Sequence, residues 1–261
     1  MLRSRIIPLL LIHQGGLVKT INFDNPKYIG DPLNAVRIFN EKQVDELIIA
    51  DIDASSCNKD PNYDLIATLA EQCRMPLCYC GGVKTVDQIE RIIGLGVEKV
   101  GLGSAAAYDM KLINLAANRV GSQSIVAVMD VKKYGLFGKY SISTHNSRRK
   151  TILSPVEMAR SVEALGAGEI LLSSVDRDGT REGYDYSLID LVRANTSLPL
   201  TVVGGAGSLD DIQKLIQCYG LIGAGAGSLF VLKGKYRAVL IQYPQPMEKE
   251  NLVRPQQFLR T

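Results

Sequence analysis

No apolar run in this chain approaches the roughly 18 residues needed to cross a bilayer. A metal pattern is missing too. Cys78 and Cys80 are one residue apart, which on a strand puts both on one face, and Cys57, Cys73 and Cys218 supply no second pair. An odd count of five without a framework reads as reduced thiols packed as small apolar groups in a cytoplasmic protein. Neither a metal nor a cofactor is expected. There is little charge excess: the net +3 and pI near 8.5 are too mild to imply nucleic acid. They do permit a locally basic mouth for a phosphorylated small molecule. Arg3 and Arg5 before the run Ile6–Ile12 imitate a signal peptide, but Pro8 interrupts the run and no small-residue cleavage site follows. A first strand is the better reading, and the expected protein is soluble, with no membrane partner.

What is present is alternation. Apolar runs at Ile6–Ile12, Glu46–Ile52, Pro76–Cys80, Glu98–Leu102, Ile125–Asp130, Glu169–Ser174, Pro199–Val203 and Leu221–Ala224 read as strands covered on both faces. Amphipathic stretches lie between them. "TVDQIERIIGLG" opens with Thr85 and has Gln88 three later; "SPVEMARSVEALGAG" has Ser154, Pro155 and Glu157. Both are capping boxes, and both helices stop at glycine. Such alternation fits a (β/α)8 TIM barrel or an open doubly wound sheet. An internal repeat favours the barrel. "GGVKTVDQIERIIGLG" from Gly81 resembles "GGAGSLDDIQKLIQCYG" from Gly204, and "ELIIADIDAS" from Glu46 resembles "EILLSSVDRDG" from Glu169, both 123 residues apart. Two half-barrels of four βα units would produce this spacing. The barrel is expected over residues 1–243, with an irregular extension over 244–261 that carries prolines and little periodicity.

A barrel's site lies at the C-terminal ends of its strands. Gly81 and Gly82 stand there after the third strand, and Gly103 and Ser104 after the fourth. Their repeat partners are Gly204 and Gly205, then Gly227 and Ser228. Glycine lets a phosphate approach the backbone, and a helix start offers unpaired N–H groups. Gly179 and Thr180 in "DRDGT" offer a further donor. Two symmetric sets imply an elongated ligand with a phosphate near each end.

The motifs "IIP" with "GGLVKT", "DELIIADIDASS", "GSQSIVAVMD", "EALGAGEILLSSVDRDGTREGYD" and "VVGGAGSLDD" resemble the cyclase subunit (HisF) family of imidazole glycerol phosphate synthase, from Arg5 to about Phe230. The resemblance implies a barrel that takes ammonia from a glutaminase docked at its N-terminal face and passes it to a bis-phosphorylated ribonucleotide at the other. By position, Asp130 matches the second catalytic aspartate and Lys19 the lysine of the loop after the first strand. Asp51, Gly82, Ser104, Asp178, Gly179, Gly205 and Ser228 match substrate-binding positions. Leu11 falls where the other catalytic aspartate belongs, and Gly103 where an asparagine usually stands.

Arg5, Glu46, Lys99 and Glu169 lie near strand starts, where two cations and two anions could form a ring across the barrel floor. The resemblance makes this ring an ammonia gate, and makes Asp45 and Glu98 glutaminase-docking positions. The loop "VKKYGLFGKYSISTHNSRRK" after Asp130 could cover an anionic substrate with Lys132, Lys133, Lys139, Arg148, Arg149 and Lys150, or be a solvated hairpin. Leucine has no proton to give, so the expected protein is a paralogue that conducts ammonia without cyclisation. It would serve a separate sugar amidotransferase in surface-polysaccharide biosynthesis. The alternative is the cyclase-lyase of histidine biosynthesis.

Overall fold

The computed structural model describes residues 3–253. Eight parallel strands close into a ring: β1 (Arg5–His13), β2 (Leu47–Asp51), β3 (Leu77–Cys80), β4 (Lys99–Leu102), β5 (Ile125–Tyr134), β6 (Glu169–Ser174), β7 (Leu200–Val203) and β8 (Gly223–Ala226). Each pairs with the next, and β8 returns to β1 with Gly223 opposite Arg5. The fold is the expected (β/α)8 barrel.

Strand alternation sorts the apolar residues into two cores. Ile7, Ile48, Cys78, Cys80, Val126, Leu171 and Val203 fill the inside of the ring. Ile6, Leu10, Leu47, Ile49 and Val100 face outward, where the helices cover them with Phe39, Ile89 and Ile92. Both capping boxes form, at Thr85 with Gln88 and at Ser154 with Glu157. A third forms at Ser208 with Asp211, the repeat position of Thr85.

Three expectations change. The last strand runs Gly223–Ala226, two residues later than Leu221–Ala224. The helix Leu209–Tyr219 ends at Gly220 with φ +67°, leaving Leu221 exposed, and only then does the chain enter the ring. Residue 225 must be glycine because a Cβ there would overlap Val203. After β8 no full-length helix follows: a four-residue turn, Ser228–Val231, leads into a hairpin of Leu232–Lys233 and Ala238–Val239. The extension is not wholly irregular, since Pro246–Val253 is a helix that buries Leu252 and packs on Leu209–Tyr219. Its residues 254–261, like residues 1 and 2, lie outside the described residues.

Two glycine substitutions separate these roles. Gly225→Ala collides with Val203 and is expected to cost ~1–3 kcal/mol. Gly94→Ala, in a helix with open space around it, is expected to stabilise by about 0.5–1 kcal/mol. Denaturant unfolding of both variants checks the contrast.

Candidate functional site

The first inward layer is the charged floor. Arg5 reaches Glu46 and also Glu169, the latter at 2.6 Å. Lys99 Nζ lies 3.0 Å from Glu46 and 2.8 Å from Glu169. All four residues predicted for the ring therefore meet. Thr201, which the sequence reading missed, donates its hydroxyl to Glu169 at 2.5 Å. Its inward place on β7 was the available signal. Burial alone would raise the Glu169 carboxyl, but Arg5 and Lys99 outweigh it and hold it below the ordinary range. The cations answer in kind: burial opposes the charge on Arg5 and Lys99, yet the two glutamates raise both above their usual values.

Asp45 and Glu98 flank this floor, and their own chain engages both. Asp45 accepts from Ile6 N at 2.9 Å, pairs with Lys249 at 2.9 Å and with exposed Arg3 at 3.1 Å. Glu98 is exposed and accepts from Leu77 N at 2.7 Å.

At the opposite end, the strand tips open into a pocket. Leu11, Lys19, Asp51, Gly81, Gly82, Gly103, Ser104, Asp130, Asp178, Gly179, Gly204, Gly205, Gly227 and Ser228 all line it. Thr180 does not; its hydroxyl turns back to donate to Arg177 O at 3.1 Å. The pocket holds three carboxylates with different duties. Asp51 caps the short helix after β2, accepting from Asp53 N at 2.9 Å and Ala54 N at 3.1 Å, while burial pushes its carboxyl up. Asp178 accepts from Lys19 at 3.1 Å, Thr20 Oγ1 at 2.6 Å and Phe23 N at 3.3 Å. Asp130, opposite Ser173 across the β5–β6 pair, carries no such latch. Burial pushes its carboxyl up to about 7, against a hydrogen bond from Ser173 and with help from the Asp178 charge.

Lys19 sits on a hairpin, Gly16–Ile21 with Asp24–Gly30, that folds across the mouth onto Asp178. Its buried ammonium reaches Gly227, where a Cβ would lie 2.8 Å from Nζ. Leu11 is 7% exposed and sits between Val18 of this hairpin and Ala50 of β2. His13, two residues on, pairs with Asp53 at 2.6 Å and does not line the pocket.

The repeat is visible in the cradles. Gly103 (φ −105°, ψ −95°) and Gly227 (φ −104°, ψ −76°) turn the backbone alike ahead of Ser104 and Ser228. Ser104 Oγ already accepts from His145 N at 3.2 Å. Ser228 Oγ is buried and has no hydrogen-bond partner within the protein. The loop after Asp130 is a hairpin, Ile125–Tyr134 with Lys139–Thr144, and its six predicted cations do not line the mouth. Lys133 pairs with Asp185 at 3.5 Å and Lys150 covers the Tyr134 ring at 4.9 Å. The loop sends Asn146 instead, and Arg181 joins from the β6 loop. Sequence reasoning passed over Thr20, Asn146, Ser173 and Arg181, although all but Asn146 neighbour a predicted position or face one across a strand pair.

All five cysteines are free. Among the described residues, no cluster of three or more His, Cys, Asp or Glu could hold a metal, and no helix is long and apolar enough to cross a membrane.

The raised Asp130 value has a testable sign. Native Asp130 keeps its proton up to about 7, whereas an unfolded aspartate loses it near 3.8. Between those values the unfolded state binds fewer protons, so this group's contribution to stability falls as pH rises and levels off above about 7. Asp130→Asn should gain stability relative to the parent across that window and be flat beyond it. Thermal melting of both proteins from acid to mildly alkaline pH reads the difference.

Comparison with known proteins supplies a family for this barrel. The family described as "Histidine biosynthesis protein" matches residues 5–237. A Vibrio vulnificus protein provisionally named imidazole glycerol phosphate synthase subunit hisF3 is 54% identical over 250 residues, 96% of each chain. A Pseudomonas aeruginosa protein, provisionally named subunit hisF2, is 50% identical over 94% of this chain and 97% of its own. The imidazole glycerol phosphate synthase subunit HisF of Streptomyces avermitilis is 40% identical over 82% of this chain and 85% of its own. A family match over residues 5–237, with relatives 40–54% identical along most of both chains, places the chain in the histidine biosynthesis protein family as a HisF-type synthase subunit.

Proposed function

We propose that this chain is the ammonia-using half of a glutamine-dependent enzyme of the imidazole glycerol phosphate synthase type. One observation carries the reading. A single barrel interior joins a closed ring of paired charges at one end to a pocket with Asp130 and two glycine cradles at the other. A glutaminase at the N-terminal face would release ammonia onto Arg5, Glu46, Lys99 and Glu169. The apolar layer above, Ile7, Ile48, Val126, Leu171 and Val203, favours passage of neutral ammonia over ammonium.

At the mouth, the Gly81–Gly82 and Gly103–Ser104 cradle and its partner at Gly204–Gly205 and Gly227–Ser228 would take the two phosphates of an elongated ribonucleotide. Lys19, latched by Asp178 beside Gly227, adds a cation at one of them. Asp130 is the proton-transfer group: a carboxyl near 7 can both donate and accept at neutral pH. The relatives' names, imidazole glycerol phosphate synthase subunits, support the synthase reaction of histidine biosynthesis over the second reading below.

Leu11 favours a second reading. In it the ammonia passes to a separate synthetase that amidates a sugar of a surface polysaccharide, and the pocket no longer cyclises. A missing acid or base costs about 10²- to 10⁴-fold in rate. The first reading therefore expects slow turnover of the bis-phosphorylated ribonucleotide by the isolated chain with ammonium, and Leu11→Asp should raise it by at least about 10-fold. Chromatographic product assay decides. If neither the parent nor Leu11→Asp turns over, the cyclase reading fails.

A further inference from the structure

The C-terminal arm reaches the floor of the barrel. After β8 the chain is pinned beside the turn Ser228–Val231: Leu240 N donates to Val231 O at 3.0 Å and Gln242 N to Phe230 O at 2.9 Å. That places Tyr243 on Phe230, ring centroids 5.3 Å apart, and buries it to 7% exposure. Its hydroxyl donates to Ile6 O at 2.9 Å and accepts from Asp45 N at 3.4 Å. Three residues later the helix Pro246–Val253 begins, and its Lys249 donates to Asp45 Oδ1 and to Gln43 O, both at 2.9 Å. Asp45 in turn accepts from Ile6 N at 2.9 Å. The arm therefore holds both the carbonyl and, through Asp45, the amide of Ile6.

The position of this knot gives it a consequence. Ile6 follows Arg5, and Asp45 precedes Glu46. The knot thus ties together the two backbone points from which one side of the charge ring projects. Arg5 and Glu46 are themselves in contact, so the same two segments are joined twice: once inside the ring by the ion pair and once outside it by Tyr243, Asp45 and Lys249. The Glu169–Lys99 side has no corresponding strap among the contacts of the described arm.

We propose that Tyr243 and Lys249 are positioning residues. They hold the Arg5–Glu46 side of the floor in the geometry that admits ammonia from a partner, while ammonium supplied from solution at the mouth does not depend on them. The inference rests on the ammonia-using reading above and deepens it. It also assigns the arm to the surface that a docked glutaminase would meet, since Asp45 is already engaged from within the chain.

Two variants remove the knot gently. Tyr243→Phe keeps the ring on Phe230 and loses the hydroxyl; Lys249→Gln loses the cation; Lys249→Arg is the conservative control. Hydrogen exchange of the Ile6 amide in the full chain should rise about 5- to 10-fold in the first two and stay near the parent in the control. In the complex with its glutaminase, the ratio of glutamine-dependent to ammonium-dependent turnover should fall by a similar factor, about 5- to 10-fold, with the ammonium-dependent rate unchanged. Unchanged exchange would overturn the positioning role. Faster exchange with an unchanged ratio would overturn the link to ammonia entry. A parent chain and a Leu11→Asp variant both inert with ammonium would instead remove the cyclase reading beneath it, and the exchange result would still decide whether the arm positions the floor.

Discussion

Arg5 and Lys99 each reach both Glu46 and Glu169, and the barrel is organised around this closed circuit. Partly buried charges are costly unless every one is paired, so the circuit holds only as a whole. Its members come from β1, the residue before β2, β4 and β6, so it also joins strands that are not neighbours in the ring. Thr201 supplies a further hydrogen bond to Glu169, and Gly223 leaves room beside it because a Cβ there would overlap the threonine. With the polar demand met in one layer, the layer above can be wholly apolar. That change from paired charge to hydrocarbon is what gives the interior two distinct ends.

At the upper end the same alternation carries Leu11 and Asp130 to the mouth. Three carboxylates remain there, and their surroundings divide the work. Asp51 is committed to capping a helix, and Asp178 to holding the β1 hairpin through Lys19, Thr20 and Phe23. Asp130, with Ser173 as its neighbour, has no such commitment, and burial pushes its carboxyl up to about 7. Under the proposed function, the chemistry of the mouth would rest on this one proton-transfer group, where the repeat architecture has room for two. Leu11 fills that second place with a side chain that packs and cannot titrate.

Much of this was legible in the residues. The 123-residue repeat pointed to two half-barrels, and Gly103 and Gly227, set 124 residues apart by one extra residue in the second half, still turn the backbone alike. The floor was readable because four charges at strand starts must find one another. The last βα unit was harder: the glycine-rich β8 offers no side-chain pattern, so its register was read two residues early. The helix Pro246–Val253 was missed because its stability comes from contact with the barrel, and only Leu252 of its residues is buried. Thr180 was misjudged because a hydroxyl beside a glycine can face either the ligand or its own turn, and here it caps the turn. Asn146 and Arg181 reach the pocket by way of loop folding, which no spacing rule encodes.

The central claim is that ammonia travels inside this barrel from floor to mouth. Isotope competition tests it most directly: the chain and its glutaminase are given glutamine labelled with 15N in the side-chain amide, with unlabelled ammonium in large excess. The account predicts that the nitrogen incorporated into product is predominantly 15N, because channelled ammonia does not mix with bulk. Product label diluted to the bulk ratio of the two nitrogen sources would contradict it.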